Sequence, residues 1–285
     1  MSTRVCDTNI FYNLAYGNLD ASKLKAGARI AITPVSILEL VSHVTDANLA
    51  VRKQAADAAL QVVDDVLPDP EEYLATLWQV PHTPDNVPWM DALVALRDAP
   101  TVAALSGGIA DFQARVVRTV RVPVAHQWRS FHYQDFADKV IDAVDQHVPG
   151  YAAARKAGKM KQPKKPEALK IKKEVNSPGA LLQVLLATRD RAWLVAGTTP
   201  PQAPTQQEIE AAVASLIPYV CVYAKYFEKV ATEYAPEPND WGDLECFIYL
   251  QDDREIVTAE DRWNVIAKEL GLEPAVRDAR VEFRR

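Results

Sequence analysis

Val5-Cys6-Asp7-Thr8-Asn9-Ile10-Phe11 reads as the end of a buried strand, an acid at its tip and the opening of an amphipathic helix. Arg4–Cys6 is the strand-like run. Ile10, Phe11 and Leu14 then fall on one side of a helix over Asn9–Tyr16. The pattern recurs once. Arg29–Ile32 is a second buried strand, followed by Thr33 as a hydroxyl N-cap and Pro34 at the first helical position. Ile37, Leu38 and Val41 form the apolar face of that second helix. Strand, helix, strand, helix in so short a stretch predicts a parallel α/β start.

The far end returns to the same character. Asp243–Leu250 predicts a short helix, Glu255–Thr258 a strand, and Asp261–Leu270 a helix closed by Gly271 just past its C-cap. Ala275–Phe283 supplies a last strand. Between the two ends lie helical patterns over Ala47–Val66, Trp89–Arg97, Val102–Val117, Phe131–His147, Ser177–Trp193 and Gln206–Glu233, separated by prolines such as Pro68, Pro70, Pro81 and Pro100. No internal repeat stands out. The simplest arrangement brings residues 1–45 and 236–285 into one discontinuous α/β core. Residues 46–235 then form a large helical insertion, part of it packing on that core. Within it, residues 155–173 read as a basic flexible loop.

The bulk numbers narrow the function. The chain has 285 residues and a net charge of −6, against a generic nucleic-acid coat but compatible with a nuclease whose acids hold metal. No apolar run is long enough to span a bilayer, and no leader-like segment opens the sequence, so the expected location is the cytoplasm, with no membrane partner. Three cysteines without a Cys-x-x-Cys pair, Cys6, Cys221 and Cys246, read as small buried hydrophobes rather than a zinc cage or disulfide framework.

The acids carry the chemistry. A parallel sheet gathers function at the carboxyl ends of its strands. Asp7 ends the first strand, and Glu39 lies in the second turn of the helix after the second. Asp243, with Asp240 close by, opens the helix before the next strand, and Glu260 and Asp261 follow that strand directly. Carboxylates sharing one crevice repel one another, and a hard divalent cation such as Mg²⁺ or Mn²⁺ relieves the conflict. The matching reaction is phosphodiester hydrolysis. Taken singly, Asp7 is equally a helix cap, Glu39 a buried salt-bridge partner, and Asp243, Glu260 and Asp261 first-turn acids favoured by the helix dipole.

These residues resemble the PIN-domain nuclease family. Asp7-Thr8-Asn9 matches the family's opening strand-end motif, Glu39 its second acid and Asp243 its third, with Asp240 as the neighbouring alternative. Ile256-Val257-Thr258-Ala259-Glu260-Asp261-Arg262-Trp263 resembles its last motif, with Glu260 at the place of the family's aspartate and Trp263 at its aromatic. That substitution leaves Glu260 or Asp261 as the fourth ligand. The resemblance covers the two ends and leaves the helical middle without a counterpart. It implies a PIN-like three-layer α/β fold around a central parallel sheet. It also implies Mg²⁺- or Mn²⁺-dependent endoribonuclease activity on single-stranded or structured RNA, sometimes DNA, through Asp7, Glu39, Asp243 and Glu260. Thr8, Asn9 and Thr258 would support those acids or touch phosphate. Roles in RNA processing or defence, or as a toxin with an antitoxin protein partner, follow from the family.

Lys159, Lys161, Lys164, Lys165, Lys170, Lys172 and Lys173, within a lysine run that starts at Lys156, supply attraction for a polyanion, with Tyr151 and Trp193 as candidate stacking platforms. The alternative function is a PIN-like RNA- or protein-binding module with an impaired metal site, motivated by Glu260. A haloacid-dehalogenase-type phosphatase would need a second acid where Asn9 stands. His43, His82, His126, His132 and His147 show no metal-ligand spacing, and Ser106-Gly107-Gly108 lacks the lysine of a phosphate loop.

Overall fold

Five strands form one all-parallel sheet in the order β3-β2-β1-β4-β5 in the computed structural model, which describes residues 1–84, 87–119, 133–157, 165–197, 200, 203–237, 239–251 and 253–285. β1 is Ser2–Cys6, β2 Ala28–Ile32, β3 Asp65–Val66, β4 Arg254–Thr258 and β5 Val276–Asp278. β1 sits at the centre, with Cys6 opposite Ile32 on one side and Val257 on the other. The two distant ends of the chain therefore share one sheet, as the sequence reading expects. Strand order reverses between β1 and β4, and that gap is where an open parallel sheet presents its crevice.

Each strand alternates between two cores, because successive side chains of a strand leave opposite faces. Val5, Ala31 and Ile256 enter one apolar cluster, while Cys6, Ile30, Ile32 and Val257 enter the other. The second face is covered by α1 (Thr8–Ala15), α3 (Pro34–Val41), α4 (Leu49–Val62) and α6 (Met90–Asp98). The first is covered by α5 (Pro70–Leu77) and by the helices Tyr133–His147, Pro178–Val195, Gln206–Thr232 and Asp261–Glu269. The helical middle is thus shared between both faces.

Local chemistry explains most element boundaries. Thr33 caps α3, its hydroxyl accepting from the Ser36 N–H at 3.0 Å, and Pro34 fills the first turn as expected. The helix Asp261–Glu269 ends as expected too, with Gly271 at φ +70°. Thr205 and Glu208 form a reciprocal capping box at the head of the core helix Gln206–Thr232. Val102–Thr119 is one helix that contains Ser106, Gly107 and Gly108, so no phosphate loop forms there.

Several expectations need correction. The pattern over Ala47–Val66 is not one helix. α4 stops at Val62, and Asp65–Val66 becomes the edge strand β3, drawn into line by Asp64, whose N–H donates to the Ile30 carbonyl at 2.8 Å and whose Oδ2 accepts from the Ile30 N–H at 2.9 Å. The late helix begins at Asp240, three residues before the expected start, and ends at Cys246. Phe247–Tyr249 continues as a 3₁₀ turn. Ala275–Phe283 divides into β5 and a short helix Ala279–Glu282, whose N-cap Asp278 accepts from the Arg280 N–H at 3.0 Å. The helices that escaped the reading include α2 (Ala21–Lys25) and α5. Both are announced by aspartate caps, Asp20 and Asp69, and α5 also by Pro70 in its first turn. The basic segment is helical over Lys165–Val175. Cys6 and Cys246 are buried as expected, whereas Cys221 is only half-buried.

Candidate metal centre

Three carboxylates from three chain segments meet at the carboxyl edge of β1. Asp7, Glu39 and Asp243 each offer an oxygen, and these oxygens all lie within 4.8 Å of one another. Asp7 follows the last residue of β1. Glu39 is carried by α3, which leaves the end of β2, and Asp243 by the first turn of Asp240–Cys246. Glu260, from the turn after β4, lines the same cavity of about 90 Å³ together with Thr8, Asn9, Tyr12, Glu39, His43, Arg52, Asn239 and Asp243.

A neutral donor from a neighbouring segment holds one oxygen of each acid. Thr258 Oγ1 donates to Asp7 Oδ2 at 3.1 Å, and Trp263 Nε1 to Asp243 Oδ2 at 3.0 Å. Thr8 Oγ1 donates to Glu39 Oε2, and Asn9 Nδ2 to Glu260 Oε1 at 2.5 Å. Thr8, Asn9 and Thr258 are thus each hydrogen-bonded to one of these acids. Asp7 stands at the N-cap of α1, where the backbone N–H groups of Thr8 and Asn9 favour its charged form. Glu39 Oε1 is buried with no hydrogen-bond partner. Among the described residues, none of the four acids makes an ion pair with a lysine, arginine or histidine.

That arrangement is costly for four negative charges. Burial is the main cause that raises the Asp7 carboxyl, opposed by hydrogen bonding to Asp243 and Thr258. Burial, then the charge of Asp7, pushes Glu39 up to about 8. Asp243 is raised well above the carboxylate range by burial and by Asp7, Glu39 and Glu260. Glu260 is raised by burial and by Asp7. An all-oxygen donor set with an orphaned Glu39 Oε1 fits a hard divalent cation, which would satisfy that atom and offset the repulsion.

Gly242 admits this geometry. A Cβ at that position would overlap Glu39 Oε1 and lie 3.3 Å from Val35 Cγ1. A side chain there would push the Glu39 carboxylate out of its place beside Asp243. The sequence signal was present in Asp240-Trp241-Gly242-Asp243, a glycine inside a helix between two acids, where it is otherwise unfavourable.

The other expected ligands go elsewhere. Asp240 is buried, but it accepts from the Tyr226 hydroxyl at 2.7 Å and from the Glu237 N–H at 2.8 Å, and it pairs with Arg262. It braces the helix rather than facing the other acids. Asp261 points outward, its side chain 85 % exposed, and pairs with Arg280 at 2.5 Å. Between the two candidates after β4, the site therefore contains Glu260. Arg52 and His43 were not anticipated here. His43, in the turn after α3, holds a left-handed backbone at φ +51°, which for a non-glycine residue is a strained conformation that clusters at functional sites.

The basic segment lies only partly within the described residues. Lys159, Lys161 and Lys164 lie outside the described residues, as does the side chain of Lys165. Lys170 and Lys172 lie 3.7 Å from Glu174 and 3.8 Å from Glu228, respectively, and Lys173 lies on the same helix. Tyr151 is no stacking platform, because it is buried with its hydroxyl donating to the Val230 carbonyl at 3.1 Å. Trp193 packs partly buried against the larger core. His126 and His132 also lie outside the described residues. A scan against protein-family models and searches of curated proteins and of solved structures found no match to this chain.

Proposed function

We propose that this chain is a PIN-like, metal-dependent endoribonuclease whose catalytic acids are Asp7, Glu39, Asp243 and Glu260. The observation that carries the reading is the gathering of Asp7, Glu39 and Asp243 at the reversal of strand order, with Glu260 on the adjoining cavity wall, none of them in an ion pair among the described residues and Glu39 with a buried orphan oxygen. Four other acids of this fold behave otherwise. Asp240, Glu245, Glu255 and Asp261 each pair with an arginine.

Asp7, Glu39 and Asp243 would hold a Mg²⁺ or Mn²⁺ ion, with Glu260 alongside. When bound, such an ion neutralises the acids, polarises a phosphodiester and lowers the pKa of an attacking water. The protein's own groups fix the acids beforehand. Thr8 orients Glu39 so that Oε1 is left open, Trp263 orients Asp243, Thr258 orients Asp7 and Asn9 orients Glu260. RNA is the substrate class implied by the resemblance at Asp7-Thr8-Asn9.

Asp7→Asn tests the assignment. Removing one of several mutually repelling buried charges leaves the fold intact. Cleavage of a single-stranded RNA in Mn²⁺ should fall by at least about a hundredfold. Full metal-dependent cleavage by that variant would overturn the proposal. A wild-type protein that binds no Mn²⁺ by calorimetry would instead favour an RNA- or protein-binding module.

A further inference from the structure

The acid site repels the very substrate assigned to it, and a cation stands on its wall. Arg52, on the first turns of α4, lines the cavity with Thr8, Asn9, Glu39, Asp243 and Glu260. An arginine there for charge balance would fold onto a carboxylate. Arg52 instead donates from Nη1 to the backbone carbonyls of Glu39 and Leu40, the latter at 2.9 Å. Those carbonyls belong to the last turn of α3, where helical partners run out. Among the described residues Nε and Nη2 make no hydrogen bond, and Arg52 makes no ion pair. One side of the guanidinium is anchored through Nη1, and the N–H groups of Nε and Nη2 remain for a ligand.

Resting on the nuclease reading, we propose that Arg52 is the phosphate-binding residue of this site, its guanidinium taking a non-bridging oxygen of the phosphodiester that enters the cavity. Three physical points support it. A guanidinium presents parallel donors that match phosphate oxygens. Anchoring by the α3 carbonyls orders the side chain before the ligand arrives, so less freedom is lost on binding. Its charge also offsets the repulsion between the strand and whatever negative charge the acids retain once a cation is held. Tyr12, His43 and Asn239 complete the wall of that cavity.

The experiment uses the full chain, a fluorescein-labelled single-stranded RNA dodecamer and fluorescence anisotropy. Ca²⁺ replaces Mn²⁺ to hold the strand uncleaved, and Mn²⁺ calorimetry is run in parallel. Arg52→Gln should bind Mn²⁺ within about twofold of wild type. It should bind RNA ~10-fold more weakly, with a plot of log affinity against log salt shallower by about 0.7, the slope of one lost contact to a single strand. Arg52→Lys should keep the wild-type slope. An unchanged slope in Arg52→Gln, or Mn²⁺ affinity lost in step with RNA affinity, would show that Arg52 only caps α3 and steadies Glu39. If Arg52→Gln fails to fold by circular dichroism, Arg52→Met, which keeps the apolar stem and loses the charge, is read by the same criterion: an unchanged slope there overturns the assignment. Wild-type protein that binds no RNA removes the nuclease reading as well, whereas wild type and Arg52→Gln binding RNA alike removes Arg52 only.

Discussion

Glu39 is where burial, charge and geometry act on one side chain. Its carboxyl is raised from 4.5 to about 8 by burial and the Asp7 charge, with Thr8 and Arg52 opposing. The sign of the stability effect follows directly. Between about pH 4.5 and 8 the folded protein keeps a proton that the unfolded chain has released. Each such proton makes stability fall as pH rises through that window. Asp7, Asp243 and Glu260, all raised, act in the same direction. In EDTA the midpoint of thermal unfolding should therefore drop from pH 5 to pH 8. Mn²⁺ at about a hundred times its Kd contributes ~2.7 kcal/mol, which corresponds to a rise of roughly 5 °C or more. That rise should be larger at pH 8 than at pH 5, because the ligands must be deprotonated to bind. A midpoint in EDTA that climbs over this range would contradict the burial of these acids together.

At the scale of elements, the helix Asp240–Cys246 matters most, since it delivers Asp243 and carries Gly242. Its opposite face is held by Glu245, which is 1 % exposed and paired with Arg191 from the helix Pro178–Val195 at 2.5 Å. The same guanidinium reaches Glu71 of α5 at 2.7 Å. One arginine thus ties three helices of the first face. Removing it takes the shared cation away from two buried carboxylates, a change that costs about 3 kcal/mol or more. Arg191→Leu should show that loss in urea unfolding, and a loss of Mn²⁺ affinity as well, because the helix bearing Asp243 loses its brace. If stability falls and metal affinity does not, the brace and the site are mechanically independent.

At the scale of the whole molecule, the sheet is a shared wall. Val5 and Cys6 are neighbours in sequence yet belong to different cores, and the same holds for Ile256 and Val257. Neither core keeps its packing if the sheet is lost. Unfolding in urea should therefore give one transition, with tryptophan fluorescence and far-ultraviolet circular dichroism coincident, although chains of this length often populate intermediates. Trp78 and Trp263 report on one core and Trp89 on the other. Two separated transitions would mean that the helices of one face fold as an autonomous unit. The chain ends tighten the same frame, as Phe283 is buried and the Arg4 guanidinium lies 4.9 Å above its ring.

The α/β class, the pairing of the two chain ends and the acids of the site were legible in short-range patterns. An apolar run tipped by Asp7, a Thr33-Pro34 helix start and the strand before Glu260 depend only on neighbours in sequence, and local sterics and capping decide them. What the sequence left open depends on contacts between distant residues. Asp65–Val66 is a strand only because β2 offers an unpaired edge. Asp240 and Asp261 leave the candidate ligands because Arg262 and Arg280 reach them first. Arg52 enters the cavity because α4 packs beside the end of α3, and Gly242 matters only because Glu39 stands opposite. Pattern fixes which residues carry charge and which face inward. Only three-dimensional packing decides which charges meet, because attraction and repulsion depend on distances in space that sequence separation does not report.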